Sequence, residues 1–368
     1  MQKTDRIVVI GADWYGGWAK DFYLALKELG CQAELIYTNS VPFSTAGSAS
    51  SALTLERIKT FLRKMGRFVF STVKQLRNYL GEKRLLKNLS RFDLTKESVT
   101  IISIWTPLSP NVLASLKAKG VCLVLWQGES ANCDKEWNKA FPYYDYIFIV
   151  EDDWTKDSED ESIRARTKLL PLATNPHTYR PMPPDRVVPD KCRSDISFIG
   201  LYRRERAQIL SVIKDFGLKV YGSGWEAGFE EFPWLKNQYK GMLSEDEAMM
   251  VFNNAKISIG SLGCYFNPGP QIAQRVFNIS ASKRFQLSQY NHLSPQFFGD
   301  SVITFNSVEE LRAKTEYYLD HPEERDRLAV EAYNITLRDH TYLARAKTLL
   351  SVCGISLPDQ SKQSMLTE

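Results

Sequence analysis

The sequence predicts an α/β protein made of two Rossmann-like domains facing across a cleft. Three observations carry that expectation. The chain has 368 residues, short apolar runs alternate with amphipathic stretches in two separate series, and a proline-rich segment divides the series. A single core seldom grows beyond about 250–300 residues, so a chain of this length divides. Hydrophobic residues make up 43% and charged residues 24%, a globular balance that excludes disordered and fibrous classes.

The first series opens with Ile7–Ile10, read as a buried parallel strand. The loop Gly11-Ala12-Asp13-Trp14-Tyr15-Gly16-Gly17 follows it, then a helix from about Trp18 to Leu29 that Gly30 stops. With the strand Ala33–Tyr37 these make a βαβ unit. Segment 41–53, rich in Ser, Ala and Thr, reads as a loop, and 55–91 as a basic helical stretch. Val99–Trp105, Val121–Trp126 and Tyr146–Val150 supply further parallel strands. Asn175-Pro176 with Pro181, Pro183, Pro184 and Pro189 then makes a stiff irregular linker.

The second series has strands at Ile196–Ile199, Leu218–Tyr221, Ile257–Ile259 and Val302–Phe305. Its helices run over 203–216 and 244–253, from about Gln271, and from Val308 onward. The expected organisation is an N-terminal domain over 1–174, a linker over 175–193 and a C-terminal domain over 194–338. A closing helix over 339–352 is expected to cross back to the first domain, and the polar tail 353–368 to lack fixed structure.

Several function classes are disfavoured. No run of about 18 apolar residues occurs, so no spanning helix is expected. The start of the chain does not read as a secretory signal. The six cysteines (31, 122, 133, 192, 264, 353) form no C-x-x-C pair, which argues against a zinc site or a disulfide framework and for a reducing cytoplasm. Two aromatics fill the middle of the first glycine loop, so the dinucleotide fingerprint is missing and a dehydrogenase is disfavoured. Glu151-Asp152-Asp153, the acidic triplet at a strand end, reads as a solvated helix start. No metal and no cofactor are expected.

Charge is unevenly spread. Between Leu55 and Arg91 eleven Lys/Arg face two Glu, a local +9 that leaves the rest at −5. Apolar residues at Leu55, Ile58, Leu62, Met65, Val69, Val73, Leu76 and Leu80 fall near helical spacing. Either this stripe packs on the sheet with the cations in solvent, or it docks on an anionic surface of lipid headgroups or nucleic acid. The second reading would add a peripheral membrane location to the cytoplasmic one.

Landmarks in the second half occur in a definite order. They are Leu170-Pro171-Leu172-Ala173 with Asn175-Pro176 and Tyr179-Arg180-Pro181; Asp195–Gly200 with Arg206; and Val220-Tyr221-Gly222-Ser223-Gly224-Trp225. Asn254-Ala255-Lys256-Ile257, Arg275-Val276-Phe277-Asn278 before Phe285-Gln286-Leu287, and His340-Thr341-Tyr342 complete them. Over about 168–350 this pattern resembles the CgeB-like (spore maturation protein) glycosyltransferases. The N-terminal half resembles them only in general pattern.

The resemblance implies a GT-B fold, a nucleotide-sugar donor held by the C-terminal domain, and an unidentified acceptor at the N-terminal domain. Two positions depart from the family. Asn278 stands where it usually has a Glu that binds the ribose hydroxyls, and Lys283 where it has a small, glycine-like residue.

A diphosphate needs backbone N–H groups, a helix N-terminus and cations. The loop Gly263–Pro270, with Gly269-Pro270 opening a helix and Arg275 little more than one turn inside, is one candidate. Gly200 with Arg203, Arg204 and Arg206 is a second. Three arginines on one turn cannot all point into a cleft, and Arg206 has the spacing the family uses. Gly222 and Gly224 permit close backbone approach, while Trp225 either flanks the base or is a buried structural residue.

On the acceptor side, Trp14, Tyr15 and Gly16 form an aromatic loop suited to stacking on a sugar. All four histidines (177, 292, 321, 340) lie in the linker or beyond. If the reaction inverts, its base is therefore a carboxylate, with Asp13 and Glu129 the best placed. If it retains, the leaving phosphate can take the proton. Two other readings stay open: a sugar-nucleotide-binding protein without turnover, and a glycosyltransferase acting on nucleic acid through 55–91.

Overall fold

The computed structural model describes residues 6–12, 17–38, 80–94, 98–105, 107–128, 139–151, 160–263 and 271–358. Asp13, Trp14, Tyr15, Gly16, Glu129 and Gly269 lie outside these residues, as does the basic stretch before residue 80.

The described strands form two sheets. The first has six, β1 (Arg6–Ala12), β2 (Ala33–Thr38), β3 (Val99–Trp105), β4 (Cys122–Gln127), β5 (Tyr146–Ile149) and β6 (Thr167–Leu169), in the order β2-β1-β3-β4-β5-β6. The second has five, β7 (Ser194–Ile199), β8 (Leu218–Tyr221), β9 (Ala255–Ile259), β10 (Gln286–Gln289) and β11 (Ile303–Phe305), in the order β11-β10-β9-β7-β8. The pairings β1–β2, β1–β3, β3–β4, β7–β8, β7–β9, β9–β10 and β10–β11 are all parallel. The chain divides into two compact units. One comprises 1–148, 160–167 and 350–368, and the other 149–159 and 168–349.

The first sheet forms because its central strands are apolar on both faces, and the second because its strands share one apolar face. Val8, Val9, Ile101, Ile102, Leu123, Val124 and Leu125 are completely buried in the first unit. Ile196, Phe198, Val220, Ile257 and Leu287 do the same in the second. In the second sheet the opposite face is buried too, but by polar residues such as Ser197 and Ser258, whose hydroxyls bond each other. Glycine sets the packing distance at the first crossover, since a Cβ on Gly11 would lie 2.4 Å from that of Ala19. In the second unit Ser244 and Glu247 close a capping box that starts the helix Glu245–Asn254.

Four expectations are corrected. The helix expected from about Gln271 begins at Gln274, because 271–273 stay non-helical, Ala273 is extended and Ile272 is buried first. Arg275 is therefore its second residue, and Pro270 precedes it. Strand β10 was not expected at all. Glu151 is buried at 1% exposure, so the acidic triplet does not begin as a solvated helix start. The tail is packed through Cys353 and Ile355, both buried.

The helix Gln274–Ala281 ends at Lys283, which has φ +56, a left-handed conformation that glycine favours. Its N–H donates to the Ser280 carbonyl (2.9 Å), and Arg284 N–H reaches Ile279 (3.3 Å). The position thus has the geometry of the glycine that the resemblance implied. Lys283 is exposed, with its ammonium 5.9 Å from the Tyr333 ring centroid. Lys283→Gly should stabilise the protein by about 0.5–1 kcal/mol, the left-handed strain less the added freedom of the unfolded chain. A denaturation midpoint that falls in the variant would show that the Tyr333 contact outweighs the strain.

Candidate functional site

In the five-stranded sheet the strand order reverses between β7 and β9. Ligands of open parallel sheets gather at the carboxyl ends of the strands at such a reversal. Gly200 follows β7 there, and Gly222 follows β8. The two turns interlock. Gly200 N–H donates to Tyr221 O (2.9 Å), Tyr202 N–H to Ser223 O (2.9 Å), and Gly222 N–H to Gly241 O (3.0 Å). Gly222 has φ +118, and a Cβ on it would sit 2.1 Å from the Gly200 carbonyl oxygen. No other residue fits.

Two guanidinium groups stand at this edge. Arg275 donates from Nη1 to Ile199 O (2.6 Å), and its Cζ lies 4.8 Å from the Phe198 ring centroid. Arg206 donates from Nε to Leu262 O and from Nη1 to Leu201 O, both at 3.0 Å, with its Cζ 6.0 Å from the same ring. Among the described residues no carboxylate pairs with Arg275. Burial, and then the charge of Arg206, depress the Arg275 pKa below the ordinary arginine value. Guanidinium is so strongly basic that Arg275 still carries its charge at neutral pH. A partly desolvated cation next to another cation is a place prepared for an anion.

The other arginines of the turn go elsewhere. Arg204 forms an exposed ion pair with Glu231, and Arg203 is exposed. Arg206, the candidate that the resemblance favoured, holds the Leu201 and Leu262 carbonyls beside the Gly200 turn. Trp225 is completely buried, donates from Nε1 to Gly200 O (2.8 Å), and packs edge-on to Phe198 and Tyr202. It supports the glycine turn from below, so the base-flanking alternative is corrected to the structural one. Gly224, at φ +83, starts the short helical turn that carries Trp225 inward.

Asn278 is 6% exposed, and its Oδ1 is buried without a hydrogen-bond partner among the described residues. It lies one turn beyond Arg275 on the same helix, whose first residue Gln274 donates to the Tyr342 hydroxyl (3.0 Å). Thus Gly200, Arg206, Gly222, Gly224, Trp225 and Arg275 come together at the β7–β8 edge, with Asn278 on the helix that delivers Arg275. The polar strand β10 supports that helix. Gln286 donates to Val276 O and Ser280 Oγ, a device that no apolar pattern signals.

The first unit has its own edge cluster. Trp18 lies 4.3 Å from Trp105 and 6.1 Å from Trp126, measured between ring centroids. Trp105 ends β3 with φ +83, and Gln127, its register partner on β4, is completely buried. Sequence reasoning missed both. A left-handed tryptophan has no sequence signature, and one glutamine at a strand end reads as surface.

Comparison with known proteins finds similarity in both sequence and fold. A glycosyl transferase-like family model matches residues 203–351. The chain is 23% identical over 278 residues to the spore protein CgeB of Bacillus subtilis (strain 168), covering 72% of this chain and 85% of that protein. Residues 203–351 thus match a glycosyl transferase-like domain, in a chain similar to CgeB.

The fold of this chain is similar to that of sucrose-phosphate synthase from Thermosynechococcus elongatus. That match has a TM-score of 0.63 at 10% identity and covers 95% of this chain and 98% of the other. It is also similar to Anabaena HepE in complex with UDP-glucose, with a TM-score of 0.61, 7% identity, and coverage of 95% and 99%. These likenesses establish the GT-B fold. The family match takes in Arg206, Gly222, Gly224, Arg275 and Asn278, and starts three residues after Gly200. Among the described residues no helix is long and apolar enough to cross a membrane.

Proposed function

We infer that this glycosyltransferase takes its sugar from a nucleoside-diphosphate sugar bound at the β7–β8 edge and passes it, without a metal, to an acceptor held by the N-terminal domain. The observation that carries this reading is Arg275, a cation with no acidic partner among the described residues, beside Arg206 and against two interlocked glycine turns at the carboxyl edge of the sheet. As the sugar–phosphate bond breaks, negative charge accumulates on the leaving diphosphate. Two fixed guanidiniums oppose that charge, a role a metal plays elsewhere. The HepE complex with UDP-glucose makes UDP the first nucleotide to test.

Asn278, with an unpartnered Oδ1, offers one acceptor to a ribose hydroxyl. In an inverting reaction Asp13 or Glu129 would take the acceptor proton, and in a retaining one the leaving phosphate would. Calorimetric titration with UDP-, GDP-, TDP- and CMP-sugars should find one that saturates, and turnover should survive EDTA. Asn278→Ala should weaken that binding by about 0.5–1.5 kcal/mol, the worth of one neutral hydrogen bond. If none of the four binds, the donor reading falls. Binding without hydrolysis or transfer would instead favour a sugar-nucleotide-binding protein.

A second reading concerns the basic stretch. Residues 80–89 form a helix seated by Leu85 and Leu89, with Leu80, Lys83, Arg84 and Lys87 outward. Leu80, the one member of the apolar stripe among the described residues, is 56% exposed. That exposure favours docking on an anionic surface, lipid before nucleic acid because the exposed residue is apolar. Salt-sensitive binding through this helix is its sign.

A further inference from the structure

The helix Gln274–Ala281 carries both Arg275 and Asn278, and it is short. Eight residues make little more than two turns, a length that is marginal in water without tertiary support. Its N-cap residue is Ala273, which has no side-chain oxygen to offer the first N–H groups, and its first turn holds no acidic residue. The local stabilisation of about 1 kcal/mol that a polar cap supplies is therefore missing. The turn that presents Arg275 depends on what packs against it.

Side chains from three other elements supply that support. Gln286 Nε2 donates to Val276 O (2.9 Å) and to Ser280 Oγ (2.8 Å), which holds the middle and the end of the helix. Phe277 is completely buried, its ring 5.5 Å from that of Phe298 and 5.3 Å from that of His340. Gln274 Nε2 donates to the Tyr342 hydroxyl (3.0 Å), a bond that grips the helix by its first residue. Tyr342 is itself firmly placed. It is 3% exposed, its N–H donates to Thr174 O (3.1 Å), and its neighbour Thr341 bridges Thr174.

Gln274 precedes Arg275 by one residue and Asn278 by four. Residues four apart share a helix face, and successive residues are turned by about 100°. A tie at Gln274 thus sets the rotation of the helix about its axis, and with it the directions of Arg275 and Asn278. The geometry points to Tyr342 as a positioning residue for the donor site, acting through Gln274 on the turn that carries Arg275. This rests on the reading of Arg275 and Asn278 as donor-binding residues, and it adds the group that orients them. Packing alone would not require the hydroxyl, since phenylalanine fills the same space.

The test uses the full chain with UDP as the probe. Tyr342→Phe and Gln274→Met each remove the bond and keep most of the side-chain volume. Calorimetry should show UDP binding weakened about three- to tenfold in each, the scale of one neutral hydrogen bond. The double variant should lose no more than either single one, because both lose the same contact. Without nucleotide, amide exchange over 274–281 should be faster in Tyr342→Phe, and unchanged over the helix Val308–Asp320. UDP affinity equal to wild type in both variants overturns the positioning role, even if the thermal midpoint falls, since the bond would then be structural alone. Losses that add in the double variant also overturn it, as does unchanged exchange over 274–281. If the wild type binds none of UDP, GDP, TDP and CMP while exchange is faster in the variant, the donor reading falls and the hold of Tyr342 on the helix stands.

Discussion

Lowering the pH from 7 to 4 should cost the fold roughly 2–3 kcal/mol through one histidine, following the ~1.4 kcal/mol that each pKa unit represents. His340 is 5% exposed and joins the helix Pro322–Asp339 to the helix Tyr342–Val352. The rings of Phe277, Phe297 and Phe298 surround it. Its Nδ1 accepts from Arg345 Nη2 (2.8 Å), which can only donate, so Nε2 carries the proton and donates to Phe297 O (3.1 Å). The ring is therefore held neutral. Burial first, then the charge of Arg345, lowers its pKa to about 4, while the Phe297 carbonyl and Asp339 pull it up and Arg338 adds a small push down.

In the unfolded chain the same group titrates near 6.5. The unfolded state therefore binds the proton first as pH falls. Stability is complete above about pH 6.5 and declines through the window from there to about 4. Urea unfolding at pH 7, 5.5 and 4.5 should trace that decline, and His340→Gln should flatten it. An unchanged slope in the variant would assign the loss to carboxylates. The clamp has structural reach because Arg345 also donates to Pro171 O (2.8 Å), Leu172 O (3.0 Å) and Asp339 O (2.7 Å). Thr174 adds a bridge to Thr341.

Arg275→Met should weaken nucleotide-sugar binding by about 10–100-fold, or 1.5–3 kcal/mol, the worth of a hydrogen bond to a charged group. Stability should stay level or rise. The contrast follows from the site. Among the described residues Arg275 has one carbonyl partner, a like-charged neighbour and no carboxylate, so its charge burdens the free protein. A methionine of similar length would still cover Phe198 and remove that burden. Calorimetry for affinity and thermal unfolding for stability separate the two effects. Lost stability with unchanged affinity would make Arg275 a packing residue and remove it from the donor site.

Much of the second unit was legible because local signals agreed with the fold. Strands β7, β8 and β9 each carry an apolar face (Ile196 and Phe198, Leu218 and Val220, Ile257 and Ile259) and end before Gly200, Gly222 and Gly260, so both strand and turn could be read from single residues. The choice of Arg206 over its neighbours came from the spacing that the resemblance implies; in the structure Arg204 pairs with Glu231, while Arg206 holds the Leu201 and Leu262 carbonyls. Strand β10 was illegible because Gln286, Ser288 and Gln289 look like surface residues. They are buried because Gly260 leaves space, a Cβ there lying 2.2 Å from Ser288 Oγ, and because the main chain of the donor-side helix takes up the Gln286 amide. Trp105 was illegible for a related reason. Its importance lies in a backbone angle imposed by Gly128, 23 positions along the chain. Buried polar networks and imposed angles arise from tertiary packing, where residue type alone carries little signal.

The turns after β7 and β8 are fastened to each other through main-chain groups, with Gly200, Gly222 and the Trp225 indole as the fixed parts. The side chains of Leu201 and Met242, both exposed, and Ser223 take no part in that fastening. Geometry and selectivity are thereby assigned to different residues. A combinatorial library at 201, 223 and 242 can vary the surface offered to a ligand while the cationic wall keeps its position. Divergence toward new donors can proceed through such positions by small steps, without each step having to rescue the fold.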